Sequence, residues 1–463
     1  MALETFGTSH PFLPMPCYRA LLFLSALSIA SALDNGLALA PILGWNTWKT
    51  CGDEGCTHDY CDEHEVMSAA EAMIANGMVD LGWTYVNLDD CWAYSRDNTT
   101  NELTWDTDRF PSGLPYLTSW LHDRGLKFGL YTSIGNETCS SGGRPISVPG
   151  SEGHFQLDAQ TFADWGVDYV KLDWCGDVKH HTAYYGLTVG AQWHKDFATA
   201  LNATGRPMYL EAVAGYYFLQ HETADYANAW RFCGDHHDDW VNTAELAACR
   251  IDQGATPFNL TRGEAGAWPY MDFLMTGGEG CAPYEEGVSG VHCPQQTEDQ
   301  YETEFSVWTI TQSPLIVATD VRNLTDVMQR ALLNAELLEA HQSVATGPGT
   351  LRAAGKLPRF DHGEDLCLGC QVWGRDLHLE SEGATVLVAL VNWSSSAQDV
   401  TATWAMLGIP KAQAVRVRDL WLHENWAAGA EVVGADTSSV TAHGVAPGGA
   451  VVLKLTPVSN TRN

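Results

Sequence analysis

The sequence predicts a (β/α)8 barrel followed by a small antiparallel β-sandwich. Three observations lead to this prediction. A chain of 463 residues is longer than one hydrophobic core usually organises, which favours two domains. Short apolar runs alternate eight times with segments of helical apolar spacing. From about Ser343 onward, Gly- and Pro-bearing turns separate short alternating strands such as "ATVLVALVNW" and "GGAVVLKLTP".

Eight strands and the helices between them make up the predicted barrel. The strands are "ILGWNTW" from Ile42, "TYVNLDD" from Thr84, "KFGLYTS" from Lys127, "DYVKLDW" from Asp168, "MYLEA" from Met208, "AWRFCGD" from Ala229, "AWPYMDF" from Ala267 and "PLIVATD" from Pro314. Helical spacing is found in "VMSAAEAMIANGMVDLG", "LPYLTSWLHDRG", "AYYGLTVGAQWHKDFATAL" and "EFSVWTITQS". After the helical run "DVMQRALLNAELLEAH" the pattern changes, so the barrel is predicted at residues 33–342 and the β domain at 343–463.

Residues 1–32 have the features of a secretory signal peptide. Arg19 precedes the apolar run "ALLFLSALSIASA", which is too short for a typical membrane span, and Ala30-Ser31-Ala32 has the form of a cleavage site. No later stretch is long and apolar enough to cross a bilayer, so no membrane anchor is expected. The protein is therefore expected in the secretory pathway, with the cell exterior, a lysosome or a vacuole as its destination.

The charge and the cysteine count narrow the choice of partners and of compartment. The 25 basic and 57 acidic residues give a net charge of -32, which would repel nucleic acid and anionic membranes. Removal of the signal peptide takes Cys17 and leaves an even number of cysteines, as expected for disulfides in an oxidising compartment. The sequence leaves open whether the protein is a monomer or a homodimer. Glycosylation sequons begin at Asn98, Asn136, Asn202, Asn259, Asn323 and Asn392.

The predicted strands end in a set of polar and aromatic residues. Because the active site of such a barrel lies at the C-terminal ends of its strands, these residues are expected to form one surface. They are Trp45, Asp89, Asp90, Tyr131, Lys171, Asp173, Glu211, Arg231, Asp235 and Asp272. Acidic residues also end strands simply because the loops that follow are exposed to solvent. Aromatic rings beside many carboxylates nevertheless favour a neutral, hydroxyl-rich ligand such as a sugar.

Sugar hydrolysis requires two carboxyl groups, and Asp173 and Asp235 are the candidates. One would attack as a carboxylate and the other would donate a proton to the leaving oxygen. A metal site at Asp89-Asp90 or His236-His237 is the alternative, but neither pair has the spacing or the cysteine partners of common zinc sites. Neither a metal ion nor another cofactor is expected.

Six motifs together resemble glycoside hydrolase family 27, which contains α-galactosidases and α-N-acetylgalactosaminidases. The motifs are "LDNGLALAPILGWNTW", "VNLDDCW", "RFPSGL", "KFGLYTSIGNETC", "DYVKLDWC" and "WRFCGDHHDDW". The resemblance implies a retaining hydrolase in which Asp173 is the nucleophile and Asp235 the acid/base. It also implies that Asp89 and Asp90 accept hydrogen bonds from galactose and that Trp45 forms an apolar wall. Tyr131, Lys171, Arg231 and Asp272 match the other sugar-holding positions.

The resemblance further implies the protonation states of the two carboxyl groups and part of the disulfide pattern. Lys171 would keep Asp173 ionised, and burial with neighbouring negative charge would raise the pKa of Asp235. The implied disulfides are Cys51–Cys91, Cys56–Cys61 and Cys139–Cys175, the last of them beside the sugar. The remaining cysteines are expected to pair as Cys281–Cys293, Cys367–Cys370 and Cys233–Cys249, although "CLGC" could instead be a redox pair.

Two departures from the family pattern concern the choice of sugar. Glu211 in "LEAVAGYY" favours galactose, whereas Ala214 stands where a bulky residue would exclude an acetamido group, a space that Tyr216 or Tyr217 could fill. In "GAWPYMDF", Asp272 is kept while Pro269 and Tyr270 replace an Asn-Asp pair of the family. Galactose is the expected sugar. The alternatives are N-acetylgalactosamine, an arabinopyranoside, transfer to a sugar acceptor, and sugar binding without turnover.

Overall fold

Eight parallel strands form the largest sheet of the computed structural model. The model describes residues 35–49, 61–139, 148–176, 187–213, 223–254, 261–278, 294–354, 369–380, 383–411, 413–426 and 438–458. The strands up to the end of this sheet are β1 (Leu43–Asn46), β2 (Trp83–Asn87), β3 (Ala93–Arg96), β4 (Leu103–Trp105), β5 (Lys127–Ser133), β6 (Tyr169–Asp173), β7 (Tyr209–Ala212), β8 (Ala229–Arg231), β9 (Trp268–Tyr270) and β10 (Leu315–Val317). The short β3–β4 pair is a separate antiparallel hairpin.

The eight parallel strands close into a barrel. Their order is β10-β1-β2-β5-β6-β7-β8-β9, so neighbours in the sequence are neighbours in space. Just after β9, Leu274 forms a parallel bridge with Val317 of β10 and joins the two ends of the sheet. All eight predicted strands are present, and the predicted fold class is confirmed.

Helices follow most of the strands of the barrel. They are α1 (Glu63–Ala75), α2 (Leu114–His122), α3 (Phe155–Asp164), α4 (Leu187–Ala203), α5 (Trp240–Gly254), α6 (Glu298–Ile310), α7 (Asp326–Leu332) and α8 (Ala335–Gln342). Asp62 caps α1 by accepting a hydrogen bond from the Glu65 N–H, and Thr297 with Gln300 forms a capping box on α6. Among the described residues, no helix is both long and apolar enough to cross a membrane.

An antiparallel domain follows α8, as predicted. Its elements are β11 (Thr350–Ala354), β12 (Cys370–Glu380), β13 (Gly383–Asn392), β14 (Gln398–Thr403), α9 (Trp404–Leu407), β15 (Val415–Asp419), β16 (Glu424–Asn425), β17 (Ser439–Val445) and β18 (Ala450–Pro457). A six-stranded sheet in the order β11-β12-β13-β18-β15-β16 faces the pair β14-β17. The boundary that we propose, after residue 342, falls at the end of α8.

Strand β13 is buried on both faces, which explains its unbroken apolar sequence. Val388 and Leu390 pack into the core of the sandwich, whereas Leu387 and Ala389 pack into the cluster that includes the barrel and its helices. Helix α6 lies against β13 and β18 and is buried around most of its circumference, so it lacks an amphipathic pattern. The sandwich is therefore held to the barrel by a shared apolar layer.

The structure confirms two expected disulfides and changes the pattern at two other places. Cys139–Cys175 and Cys233–Cys249 are bonded, with Cα atoms 5.0 and 6.1 Å apart. Cys91 is bonded to Cys61, so the implied pairs Cys51–Cys91 and Cys56–Cys61 are not those that the structure has. Cys61 lies just before α1, where its Cα is 5.9 Å from that of Cys91.

The predicted Cys367–Cys370 bridge is wrong, because Cys370 has a free thiol. Cys370 begins β12, and its side chain packs against the apolar core of the sandwich. Residues 1–34, including the predicted signal peptide, lie outside the described ranges, as do Cys51, Cys56, Cys281, Cys293 and Cys367.

Of the six sequons, the one at Asn392 is expected to stay unmodified in the folded protein. The Asn392 side chain is fully buried, and its Nδ2 donates to the carbonyls of Ser396, Val445 and Ala446 at 2.8 to 3.0 Å. A glycan at this atom would break these bonds and has no space. Glycopeptide mass spectrometry of protein secreted by a eukaryotic host should find Asn392 unoccupied and provides a comparison with the exposed Asn98 and Asn323. A glycan on Asn392 in folded protein would contradict the observed packing.

Candidate active site

The inward-facing side chains of the barrel form an aromatic layer beneath a charged one. Tyr85, Tyr169, Tyr209 and Trp268 belong to a buried interior cluster, and the Tyr169 and Tyr209 rings stack with their centroids 5.3 Å apart. The parallel register then places Lys171 beside Tyr131 and Glu211, one inward position further along the strands. Asp173, the next inward residue of β6, ends the strand. Charge is thus concentrated towards the C-terminal ends of the strands.

Lys171 and Asp89 form a buried ion pair across the barrel. Lys171 Nζ donates to Asp89 Oδ2 at 2.8 Å, and both side chains are almost inaccessible to solvent. Burial disfavours the charged ammonium, but Asp89 and the neighbouring carboxylates outweigh it and raise the pKa of Lys171 above its usual value. The other Asp89 oxygen accepts the backbone N–H of Asp90 at 2.9 Å. Lys171 therefore remains protonated at any physiological pH.

Hydrogen-bond donors surround Asp173. The Tyr131 hydroxyl donates to Asp173 Oδ2 at 2.7 Å, and the Trp174 N–H donates to Oδ1 at 2.8 Å. Burial raises the pKa of Asp173, and Lys171 and the two donors oppose that rise. Lys171, which is expected to keep Asp173 ionised, donates its hydrogen bond to Asp89, and its positive charge lowers the pKa of Asp173 without outweighing burial.

The Cys139–Cys175 disulfide lies beside Asp173. Cys139 Sγ is 3.5 Å from Asp173 Oδ2, and Cys175 Sγ is 3.8 Å from the Tyr131 hydroxyl. The bond joins the segment after β5 to the segment after β6. It therefore restrains the two segments that carry Tyr131 and Asp173.

Arg231 connects two further carboxylates at the end of β8. Its guanidinium donates to Asp235 at 2.7 Å and lies 3.1 Å from Asp272. The Asp235 side chain is 63% exposed, whereas Arg231 is buried. The charge of Arg231 lowers the pKa of Asp235 to about 2, which corrects the expectation of a raised pKa. The expectation missed the contact because Arg231 ends β8 and Asp235 lies in the loop that follows, where spacing in the sequence does not determine distance.

Asp272 has a backbone conformation that residues other than glycine rarely adopt. Its φ of 82° costs about 1 to 3 kcal/mol and requires support from its surroundings. The His236 N–H donates to Asp272 Oδ2, and the Trp308 indole donates to the Asp272 carbonyl, both at 2.8 Å. The conformation directs the Asp272 carboxylate towards Arg231 and fixes the position of that cation.

Trp48 replaces Trp45 as the aromatic residue beside the charged layer. Trp45 pairs with Val86 and Val317 on the outward face of β1, and its indole N–H donates to the Thr319 carbonyl, so the expectation of an apolar wall at Trp45 is wrong. Trp48 is 38% exposed, and its ring centroid is 5.5 Å from Lys171 Nζ. The sequence contained a signal, since Trp48 follows the end of the strand whereas Trp45 lies within it.

Asp90 lies with the site residues, but Glu211 lies beneath them. After burial, the charges of Asp173, Asp90 and Asp89 raise the pKa of the Tyr131 hydroxyl, so Asp90 lies within electrostatic reach of the site. Glu211 is fully buried and pairs in register with Lys171, one inward position before Asp173. The structure therefore does not bring Glu211 to the open end of the barrel. Residues 214–217, which bear on the choice of sugar, lie outside the described ranges.

The candidate metal ligands have other partners. The His236 ring nitrogens lie 2.6 Å from the Phe273 carbonyl and 3.0 Å from the Thr243 hydroxyl, and Asp89 is paired with Lys171. Within the described residues, one group of potential ligands converges, namely Cys139, Asp173 and Cys175. Its sulfur atoms form a disulfide, so the group offers a metal only one carboxylate.

Comparison with known proteins assigns the chain to a family. The family model described as alpha galactosidase A matches residues 40–343. The chain belongs to the alpha-galactosidase family. A second model, described as the alpha galactosidase C-terminal beta sandwich domain, matches residues 369–455.

Relatives in the alpha-galactosidase family align over most of the chain. The alpha-galactosidase of Cyamopsis tetragonoloba is 32% identical over 395 residues, which are 84% of this chain and 82% of that protein. Human alpha-galactosidase A is 32% identical over 356 residues, covering 72% of this chain and 74% of that protein. The crystal structure of alpha-galactosidase I from Mortierella vinacea has a TM-score of 0.71 and 26% identity, and the alignment covers 92% of this chain and 100% of that one.

In this member of the alpha-galactosidase family, Lys171→Met should lower the free energy of unfolding by about 3 to 5 kcal/mol, because it leaves the buried Asp89 carboxylate unpaired. The measurement is denaturant unfolding at neutral pH. Lys171→Met combined with Asp89→Asn restores neutrality and should recover most of that loss. A double variant as unstable as the sum of the two single variants would show that the pair does not stabilise the barrel.

Proposed function

We propose that the protein is a retaining α-galactosidase that removes terminal α-linked galactose from oligosaccharides or glycoconjugates. The main support is the pair of carboxyl groups at the C-terminal ends of β6 and β8, Asp173 held by Tyr131 and Asp235 held by Arg231. The pair occurs in a chain that aligns over most of its length with proteins named as α-galactosidases. No cofactor is needed for the reaction that we propose.

In the first step, Asp173 is the nucleophile. The Tyr131 hydroxyl and the Trp174 N–H both donate to this carboxyl group, which favours its ionised form despite burial. An oxygen of Asp173 attacks the anomeric carbon while the bond to the leaving oxygen breaks. Asp235 transfers a proton to that oxygen, so a covalent glycosyl-enzyme and a free alcohol are formed.

In the second step, Asp235 acts as the base. It takes a proton from water, the water oxygen attacks the anomeric carbon, and Asp173 leaves as a carboxylate. Asp235 must be protonated at the start of each cycle, although Arg231 lowers its pKa to about 2. Because its side chain is largely exposed, a sugar that covers it removes water and raises that pKa. The pKa of Asp235 would rise further if Arg231 moved away from Asp235 and towards Asp272, whose Oδ2 lies 3.1 Å from the guanidinium.

The charged layer is suited to a neutral sugar. Asp90 and the Asp89–Lys171 pair offer hydroxyl groups both acceptors and a donor, and Trp48 offers an exposed ring for an apolar sugar face. The predicted signal peptide supports a place in the secretory pathway, either outside the cell or in a lysosome or vacuole. An α-galactoside is the proposed partner.

The proposed function is tested by initial rates on p-nitrophenyl α-galactoside and p-nitrophenyl α-N-acetylgalactosaminide at mildly acidic and neutral pH. Strong preference for the galactoside is expected. Asp173→Asn should lose at least about three orders of magnitude in kcat, because it removes the nucleophile, while it retains galactose binding. Asp108→Asn, an exposed acid outside the site, is the matched control and should be as active as wild type. Preference for the acetamido sugar would overturn the substrate assignment, and binding without turnover would overturn the assignment as an enzyme.

A further inference from the structure

Glu211 is a buried carboxyl group that the proposed reaction does not use. It has no exposed surface, and the Tyr169 hydroxyl donates to its Oε2. Its Oε1 is buried without a hydrogen-bond partner among the described residues. A carboxyl group in such a place costs free energy whenever it ionises, and packing alone does not require one there.

Strand order places Glu211 between the two cations of the site. Strand β7 lies between β6, which carries Lys171, and β8, which carries Arg231. Burial raises the pKa of Glu211 to about 7, although the positive charges of Lys171 and Arg231 oppose this rise. Lys171 in turn bonds Asp89, and Arg231 bonds Asp235. Glu211 thus lies between two cations, one of which is paired with Asp89 and the other with Asp235.

The other ionisable groups that face Glu211 are few. Tyr169 of β6, Tyr209 of β7 and Tyr270 of β9 all have pKa values raised by burial and by the Glu211 charge, so they remain neutral. Asp272, after β9, is the further carboxylate that raises the pKa of Glu211. Because burial raises the pKa of Glu211 to about 7, the charge of Glu211 changes near neutral pH.

We infer that Glu211 is a positioning residue for the proposed acid/base, acting through Lys171 and Arg231 without touching the sugar. Both cations lower the pKa of Asp235. When Glu211 is ionised, its negative charge offsets part of their positive potential, and Asp235 keeps its catalytic proton to a higher pH. Below neutral pH, Glu211 is protonated and has no such effect. The inference rests on the function proposed above.

The test is the pH dependence of kcat, which reports the sugar-bound enzyme, for p-nitrophenyl α-galactoside in wild type and Glu211→Gln, which removes the charge but keeps an acceptor for Tyr169. The acidic limbs of the two profiles should coincide. The alkaline limb of Glu211→Gln should lie at lower pH by roughly half a unit. Glu211→Asp should retain the wild-type alkaline limb. Tyr209→Phe is the matched control, because it removes a neighbouring buried hydroxyl without changing a charge.

Melting temperatures give a readout that does not depend on turnover. Between pH 4.5 and pH 7 the folded state keeps a proton on Glu211 that the unfolded chain has lost, so wild-type stability falls as the pH rises through this window. The melting temperature of Glu211→Gln should therefore rise relative to wild type over the same window. Superimposable pH profiles in an active wild type and variant would overturn the inference alone. An inactive wild type would overturn the proposed function and this inference with it.

Discussion

The ion pair between Lys171 and Asp89 is the interaction that orders the rest of the site. Taking two charges out of water is unfavourable, and the barrel compensates with a short contact and with rings of Tyr131 and Phe273 close to the ammonium. Asp89 uses its second oxygen to hold the Asp90 N–H. Lys171, an inward-facing residue of β6, thus fixes the segment after β2, which carries Asp89 and Asp90. It lies two residues before Asp173, which ends β6. A shift of the register of β6 by one residue would remove Lys171 from the interior and leave Asp89 buried without a cation.

The two proposed catalytic carboxyl groups differ in their surroundings in a way that bears on their roles. Asp173 is half-buried and accepts from neutral donors, so its ionised form is favoured by hydrogen bonds and opposed by burial. Asp235 is largely exposed and is held by a full positive charge. We expect a bound sugar to change the first environment less than the second, because the second depends on water and on the position of Arg231. The protonation state of Asp235 is therefore more sensitive to its surroundings than that of Asp173. The backbone conformation of Asp272 contributes to it, because Asp272 fixes the position of Arg231.

The sequence predicts the barrel well because strand positions follow from local apolar patterning, and all eight strands are found where short apolar runs predict them. It also places Asp173 and Arg231 at strand ends, where β6 and β8 terminate. It does not predict which face of a strand end points inward, and for that reason it favours Trp45 over Trp48 as the aromatic residue of the site. Nor does it give the depth of a residue along the barrel axis, which separates Glu211 from Asp173 and depends on the register between β6 and β7. The lowered pKa of Asp235 and the Cys61–Cys91 bond depend on contacts in loops, where neither periodicity nor motif order determines distance.

In the proposed mechanism, Asp173 attacks the sugar and forms a covalent intermediate, and the stereochemistry of the product reports on that step. The decisive measurement is the configuration of the galactose first released from an activated α-galactoside, followed by proton NMR before the anomers equilibrate. Double displacement predicts that α-galactose accumulates first, because two inversions restore the original configuration. If β-galactose accumulated first, water would be attacking the anomeric carbon in a single step. Asp173 would then be a base rather than a nucleophile, and the double displacement at this site would be contradicted.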